Sequence, residues 1–328
     1  MASQVLNERR NCRVLKSKTN LGYGGGNNLA ASLATGEILV FLNVDTVVTK
    51  DWLDGLRVLF GENPGVGVAQ PKLLLLQDRG RLDSAGDIAD DFGLGISLGG
   101  DWNERDRGQY DQSREVFSAR GSALAIRREL FERVKGFDED FFLDYDDIDL
   151  CWRVWLAGSK VMFEPRSVVF HSARSRDQVK TIDAGLSVSR RLHSFKNSYT
   201  ILIKNYEFTN LIRIIVPSLL VFTPLYFLAI ARDSPRMISL VPKGLAWNLL
   251  NLRGTMAKRS LVQGGLRVVS DGVVKSHMLH RTIKQRLQFY LIRWRSGYAP
   301  AYRWYANPAV NDILASINDP MESSRAVR

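Results

Sequence analysis

Four short stretches of this 328-residue chain set side chains in patterns that could do chemistry. The first is Asn-Val-Asp at 43–45, closing the apolar run EILVFLN. In open α/β sheets ligands gather at the carboxyl ends of strands. A carboxylate fixed there can hold Mg²⁺ or Mn²⁺ while the ion shares phosphate oxygens. A strand ending in Asp is more often only a turn, so Asn43 and Asp45 decide nothing alone. The second is FFLDYDDIDLCWR, which places Asp144, Asp146, Asp147 and Asp149 within six residues. Acids at a helix start can simply offset its dipole. The Gly and final Glu of an EF-hand calcium loop are missing. Crowding raises the pKa of at least one such carboxyl, which suits a general base. The third is His171 in SVVFHSAR, at the end of a short strand; a lone His is more often structural. The fourth is LGYGGGNN, residues 21–28, whose backbone N–H groups could cradle phosphate before a helix. No Gly-Lys-Ser/Thr follows, so it is not a P-loop, and Asn27 stands where G-x-G-x-x-G needs its last Gly.

The elements that must position these groups can be read from periodicity. Residues 12–17 predict a strand, then the Gly-rich loop, then a short helix over NLAASLAT. EILVFLN reads as a parallel strand buried on both faces. Residues 51–60 predict a helix and 67–72 a strand closed by Pro71. Residues 77–118, rich in Gly, Asp and Arg, carry no clear assignment. SALAI predicts a strand and RRELFERV a helix stopped at Gly136. From 146 to 157 a helix carries Ile148, Cys151, Trp152 and Trp155 on one stripe. Two short strands follow at 160–163 and 167–171. Strands alternating with helices imply an α/β fold with a mainly parallel sheet.

The formal charge of +11 lies entirely in the last third. Residues 1–231 balance 29 basic against 29 acidic side chains, whereas 232–328 carry 16 against 5. A basic tail suits nucleic acid or an anionic membrane. No zinc spacing, helix-turn-helix or RNP-like string supports nucleic acid. Beside the tail, residues 214–231 run uncharged between Arg213 and Arg232, close to the ~20 residues a membrane span needs. Pro217 and Pro224 weaken a straight helix without excluding a membrane one. A single crossing would put the tail on the far side, against the positive-inside rule if the first domain is cytoplasmic. A return through 237–252, or an in-plane arrangement, keeps it inside. RTIKQRLQFYLIRWR predicts a basic amphipathic helix with Ile283, Leu287, Tyr290, Leu291 and Trp294 on one face. Cys12 and Cys151 have no metal or disulfide spacing and read as core residues. The polar start MASQVLNERRNCR has no signal-peptide pattern.

The series NLGYGGGN, LNVDT, GSALAIRR, GFDEDFFLDYDDIDLCWR and VVFHSAR resembles the family 2 glycosyltransferases of the GT-A fold, with closest likeness to rhamnosyltransferase-like members. The likeness runs from about Asn20 to His171 and loosely on to Asn205. It implies a nucleotide-diphospho-sugar transferase fold over residues 1–205 and a membrane-associated helical region over 206–328. Asp45 matches the last Asp of the family's Asp-x-Asp metal motif, with Asn43 in the first position. Asp147 matches the Asp of the Glu-Asp pair that serves as base, and Asp146 replaces the Glu. His171 matches a metal-ligating His of some relatives. Gly121, Ser122 and Ala123 match a segment near donor and acceptor, where Asp146 and Arg153 are also expected. Asn20, Gly22 and Asn27 are the expected donor-binding residues of the Gly-rich stretch.

The resemblance implies inverting transfer assisted by Mg²⁺ or Mn²⁺, with Asp147 as base. The apolar run 214–231 and the basic tail would hold such a site at the bilayer, so a lipid-linked or cell-surface glycan acceptor is expected, with the catalytic part on the cytoplasmic face of the cell membrane. One departure is plain. The strand–helix–strand unit that opens the family's fold and binds the nucleotide base does not stand ahead of residue 12. The rival expectation is therefore a non-catalytic, membrane-bound remnant that binds glycan or a partner subunit.

Overall fold

The structure, a computed structural model, describes residues 12–101, 103–172, 188–233 and 237–296. The expected polar start and the end of the basic tail lie outside those residues.

Residues 12–17 are exposed and irregular rather than a strand. No neighbouring strand pairs with them among the described residues, and extended backbone needs a partner to become a strand. The Gly-rich stretch is itself helical: α1 spans Gly22–Ala31 and buries Gly24 and Gly25 against the loop around Phe137 and Glu139. Next come β1 (Ile38–Leu42), β2 (Thr46–Val48), α2 (Trp52–Glu62) and β3 (Val66–Leu75). β3 is buried along its whole length and does not stop at Pro71. The register on its neighbour shifts between Pro71 and Lys72, and a bulge is where a sheet tolerates a residue without an N–H. The unassigned stretch folds into β4 (Leu82–Ser84), the hairpin β5 (Asp87–Ala89) and β6 (Gly95–Ser97), and β7 (Arg114–Glu115). Then follow β8 (Ala123–Arg127), α3 (Arg128–Arg133), α4 (Asp146–Leu156) and β9 (Lys160–His171). The two short strands expected at 160–171 are thus one.

The main sheet is mixed, not mainly parallel, with the path β1-β8-β3-β9-β2. Only β3 and β9 run parallel; the other pairings are antiparallel. The physical reason lies in residues 76–122. This excursion returns the chain in the reversed sense as β8 and wedges it between β1 and β3. β1 therefore ends the sheet. It is not covered on both faces as its apolar run suggested: Leu39 and Phe41 point into the core while Val40 and Leu42 are exposed.

α4 is buried all round rather than along one stripe. Its second side is covered by later helices. Trp152 meets Tyr206 edge-on at 4.8 Å and Trp155 stacks on His277 at 3.9 Å. These helices are α5 (Val188–Asn205), α6 (Phe208–Pro217), α7 (Thr223–Asp233), α8 (Leu240–Leu250), α9 (Leu252–Leu261), α10 (Asp271–Lys275) and α11 (Ile283–Ser296). A π turn, Ser218–Phe222, joins α6 to α7 into one helix, Phe208–Arg232. There the Ser218 carbonyl accepts from the Thr223 hydroxyl at 2.9 Å and from the Tyr199 hydroxyl at 3.2 Å, as expected where prolines interrupt the ladder. By length and composition this helix could cross a membrane, and only 28% of its most apolar window is buried. In α11, Tyr290 turns inward to stack on Phe222 at 6.0 Å, while Ile283, Leu287, Leu291 and Trp294 stay exposed. The helix is docked on the first domain through Arg286, which reaches buried Asp90 at 3.1 Å.

Candidate active site

Asp45 and His171 come together because β2 pairs antiparallel with β9 and sets Thr46 opposite His171. The turn at 43–45 is closed by the Thr46 hydroxyl donating to the Asn43 carbonyl at 2.6 Å. The Ser172 N–H donates to the Asp45 carbonyl at 2.8 Å. His171 Nε2 lies 3.5 Å from an Asp45 carboxylate oxygen, and its Nδ1 lies 2.9 Å from a carboxylate oxygen of Asp83. Asp83 is buried at the middle of β4. A carboxylate on one ring nitrogen fixes the tautomer and turns the other nitrogen outward as a ligand. Asp45, by contrast, is exposed, and Val44 beside it is fully so.

From Asp83 the network continues inward. Arg120 bridges Asp83 and Asp87, each at 3.3 Å. The next residue, Gly121, donates its N–H to Asp147 Oδ2 at 2.8 Å and accepts from the Tyr23 hydroxyl at 2.6 Å. Gly121 fits because an added Cβ would come 2.8 Å from that hydroxyl. Ser122 in turn takes the Asn43 N–H on its carbonyl at 3.0 Å. Segment 120–123 therefore links Asp147 on one side to the Asp45 turn on the other.

Asp147 lies in the first turn of α4, and its Oδ1 accepts the Ile148 N–H at 2.8 Å. Asp147 is half-buried. Burial pushes its pKa up to about 6, partly offset by the Gly121 N–H. Asp146 is pushed further, to about 8, by burial and then by the charge of Asp147. The pair thus shares one proton near neutrality. Asp146 Oδ2 and the Ser122 hydroxyl are buried without a hydrogen-bond partner. Orphaned polar atoms of this kind call for an explanation such as a ligand.

The remaining expected residues divide. Gly22 adopts φ 70°, and a Cβ there would lie 2.4 Å from the Phe142 carbonyl oxygen. Only a glycine brings α1 this close to the loop before Asp147. Asn20 accepts the Gly22 N–H at 2.9 Å. Both line an open cavity of about 440 Å³ with Arg13, Thr19 and Leu29. Asn27 instead donates back to the Tyr23 carbonyl at 3.0 Å. Arg153 is engaged by the protein's own groups. It is buried, donates to Asp149 at 2.9 Å and caps the Gly136 carbonyl at 2.8 Å. Asp83, Asp87, Arg120 and Tyr23 escaped the sequence reading. Asp83 and Asp87 lie in the stretch without clear periodicity. Arg120 directly precedes the GSALAIRR motif, and that adjacency was the available signal.

Asp45 and His171, 3.5 Å apart, could supply one oxygen and one nitrogen ligand, which suits a divalent ion that takes its other ligands from phosphate or water. Among the described residues no set of three His, Cys, Asp or Glu side chains converges to hold an ion unaided.

The domain is α/β and GT-A-like with a mixed sheet, and it sets an acidic pair at a helix start and an Asp–His pair at a strand edge. The sequence profile of Glycosyl transferase family group 2 matches residues 38–235, more than half of the chain. The chain belongs to that family. It is 32% identical to the O-antigen biosynthesis protein RfbC of Myxococcus xanthus over 176 residues, covering 50% of this chain and 13% of RfbC. It is 27% identical to the pre-mycofactocin glycosyltransferase of Mycobacterium tuberculosis over 163 residues, covering 50% of this chain and 33% of the other. The chain thus spans a third or less of the length of these relatives. Among solved structures it is similar to GalNAc-T7 with UDP, GalNAc and Mn²⁺, at TM-score 0.45 and 16% identity, covering 59% of this chain and 36% of that one.

Proposed function

We propose that the protein transfers a sugar from a nucleotide-diphospho-sugar to a hydroxyl of a membrane-linked or polysaccharide acceptor, with inversion. The observation that carries this reading is the continuity of segment 120–123, which joins the Asp147 carboxylate to the Asp45–His171 pair. Asp147 takes the proton of the attacking hydroxyl as the new bond to the anomeric carbon forms and the bond to the diphosphate breaks. Asp146, neutral beside it, leaves Asp147 the only full charge of the pair. Asp45 and His171 hold Mg²⁺ or Mn²⁺, which when bound supplies Lewis-acid stabilisation of the leaving diphosphate. Asn20 and Gly22 set the start of α1 beside the donor.

The test is transfer from a panel of nucleotide sugars, deoxysugar donors included because of the rhamnosyltransferase-like motifs. Asp147→Asn lowers kcat by about 10²–10⁴-fold with the donor KM little changed. Normal turnover in that variant removes the base assignment.

The acceptor class rests on the apolar helices. Leu220 in the long helix is 73% exposed, and Leu249 and Leu250 at the end of α8 are 72% and 85% exposed. An apolar surface of this kind marks a membrane or partner site. We place the protein at the cytoplasmic face of the cell membrane, with residues 1–205 as the catalytic part. Full-length protein recovered in the soluble fraction without detergent would overturn that placement. One observation favours the rival, non-catalytic reading: the outer edge of β1 carries no strand among the described residues, and Val40 and Leu42 beside it are exposed. Donor binding without turnover across the whole panel would favour it.

A further inference from the structure

We infer that Asn197 is a positioning residue for the acidic pair: from α5 it holds the backbone of loop 141–145 in the conformation that aims Asp146 and Asp147 at the reacting centre. The inference rests on the reading of Asp147 as base.

The loop is strained where it enters α4. Phe142, Asp144 and Tyr145 all have positive φ, at 63°, 64° and 71°, and none is glycine. Side chains rarely adopt this region, and such residues persist only where the surroundings over-determine them. One amide on α5 meets three of the loop's carbonyls. Asn197 Nδ2 donates to the carbonyl oxygens of Phe141 at 3.0 Å, Leu143 at 2.9 Å and Asp144 at 2.7 Å. Asn197 is completely buried, so no water replaces it. Two amide hydrogens serve three carbonyls, and that requires the loop to curl around the side chain.

The amide cannot turn over. Lys196 Nζ donates to Asn197 Oδ1 at 2.9 Å and also to the Asp140 carbonyl. Arg190, on the same helix, reaches the Asp144 carboxylate at 2.9 Å, and Ser194 donates to it as well. α5 is itself fixed by α8. Asn248 accepts from the Thr200 hydroxyl at 3.0 Å and donates to the Lys196 carbonyl at 3.1 Å. The aim of Asp147 is thus set by a helix that packs directly on the apolar helical region. Movement of that region relative to the sheet would reach the base through Asn197.

The experiment uses full-length protein in its membrane or detergent preparation and compares it with Asn197→Ala, or with Asn197→Ser if the alanine chain does not accumulate. Amide hydrogen exchange is read in residues 139–147 and, as reference, in β3 and β9. We expect exchange in the loop at least tenfold faster and unchanged exchange in the strands. In the transfer assay we expect kcat to fall at least tenfold, with donor KM within threefold. Unchanged loop exchange, or strands that accelerate as much as the loop, overturns the inference. So does a variant with loosened loop and unaltered kcat. If the unsubstituted protein transfers no sugar from any donor, the proposed function fails, while the exchange comparison still decides whether Asn197 holds the loop.

Discussion

Asp147 and Asp45 lie on either side of segment 120–123, and their surroundings differ in kind. Asp147 accepts two backbone N–H groups, and the loop before it is pinned from α1 by Tyr23 and from α5 by Asn197. Behind it Asp149 is fully buried, bonded to Arg153 at 2.7 Å, Lys204 at 2.8 Å and Asn205 at 2.9 Å. Asp45 has exposed neighbours and, among the described residues, a single ion-pair contact, with His171. On the proposed reading the difference follows from role: a base that must be aimed is built into the core, and a carboxylate that would share an ion with a ligand's own oxygens is left accessible, because a closed cage of protein ligands would leave no room for phosphate.

The largest effect expected from this contrast is on stability. Asp149→Ala leaves Arg153 and Lys204 buried without their shared carboxylate. Losing one partner of such a cluster costs roughly 3–5 kcal/mol. Asp45→Ala should stay within about 0.5 kcal/mol of the unsubstituted protein, as exposed positions usually do. Denaturant or thermal unfolding of the two variants side by side checks this. A destabilised Asp45→Ala would mean that the turn at 43–45 is structural and the contrast misdrawn.

Next in size is the effect of Asp83. Its carboxylate touches His171 Nδ1 and Arg120, so on the proposed reading it orients the histidine rather than coordinating the ion. Partners of this kind contribute about 10–100-fold to metal affinity. Asp83→Asn should therefore weaken Mn²⁺ binding by about that factor, read by calorimetry or by the spin signal of free Mn²⁺. If Mn²⁺ binding is unchanged, His171 is held for packing and not as a ligand.

How much of this was legible in the sequence follows the same division. Asp45, Asp147 and His171 were singled out because each closes or opens an expected element, and the family resemblance gave them their expected roles. The sheet's sense was not legible, since residues 77–118 carry no clear periodicity and reverse the chain through short strands whose partners lie far away. Asp83 and Asp87 belong to that stretch and Arg120 lies just past it, and the three meet through contacts across it. The structural partners of Arg153 were not legible for a related reason. Its i,i+4 spacing from Asp149 marks a helix pair equally well whether exposed or buried, and burial was set by α5 and the helices beyond it. Asn197 gave no signal, because a strained loop 50 residues upstream cannot be read from one amide.

The smallest effect, and the sharpest for the base side, is in the pH profile. Asp147 is raised to about 6 mainly by burial, and Asp146 to about 8 by burial and by the charge of Asp147. As pH rises, Asp147 loses its proton first and becomes competent as a base, so kcat climbs through about 6. Ionisation of Asp146 near 8 then adds a second negative charge beside the base and the departing diphosphate, and kcat falls. Asp146→Asn keeps a neutral side chain at every pH. The falling limb should vanish while the rising limb stays near 6, because Asp146 is already protonated when Asp147 titrates. A rising limb that drops to the ordinary carboxylate range in this variant would mean that Asp146, not burial, raises Asp147. A falling limb that persists would assign it to a group outside the pair.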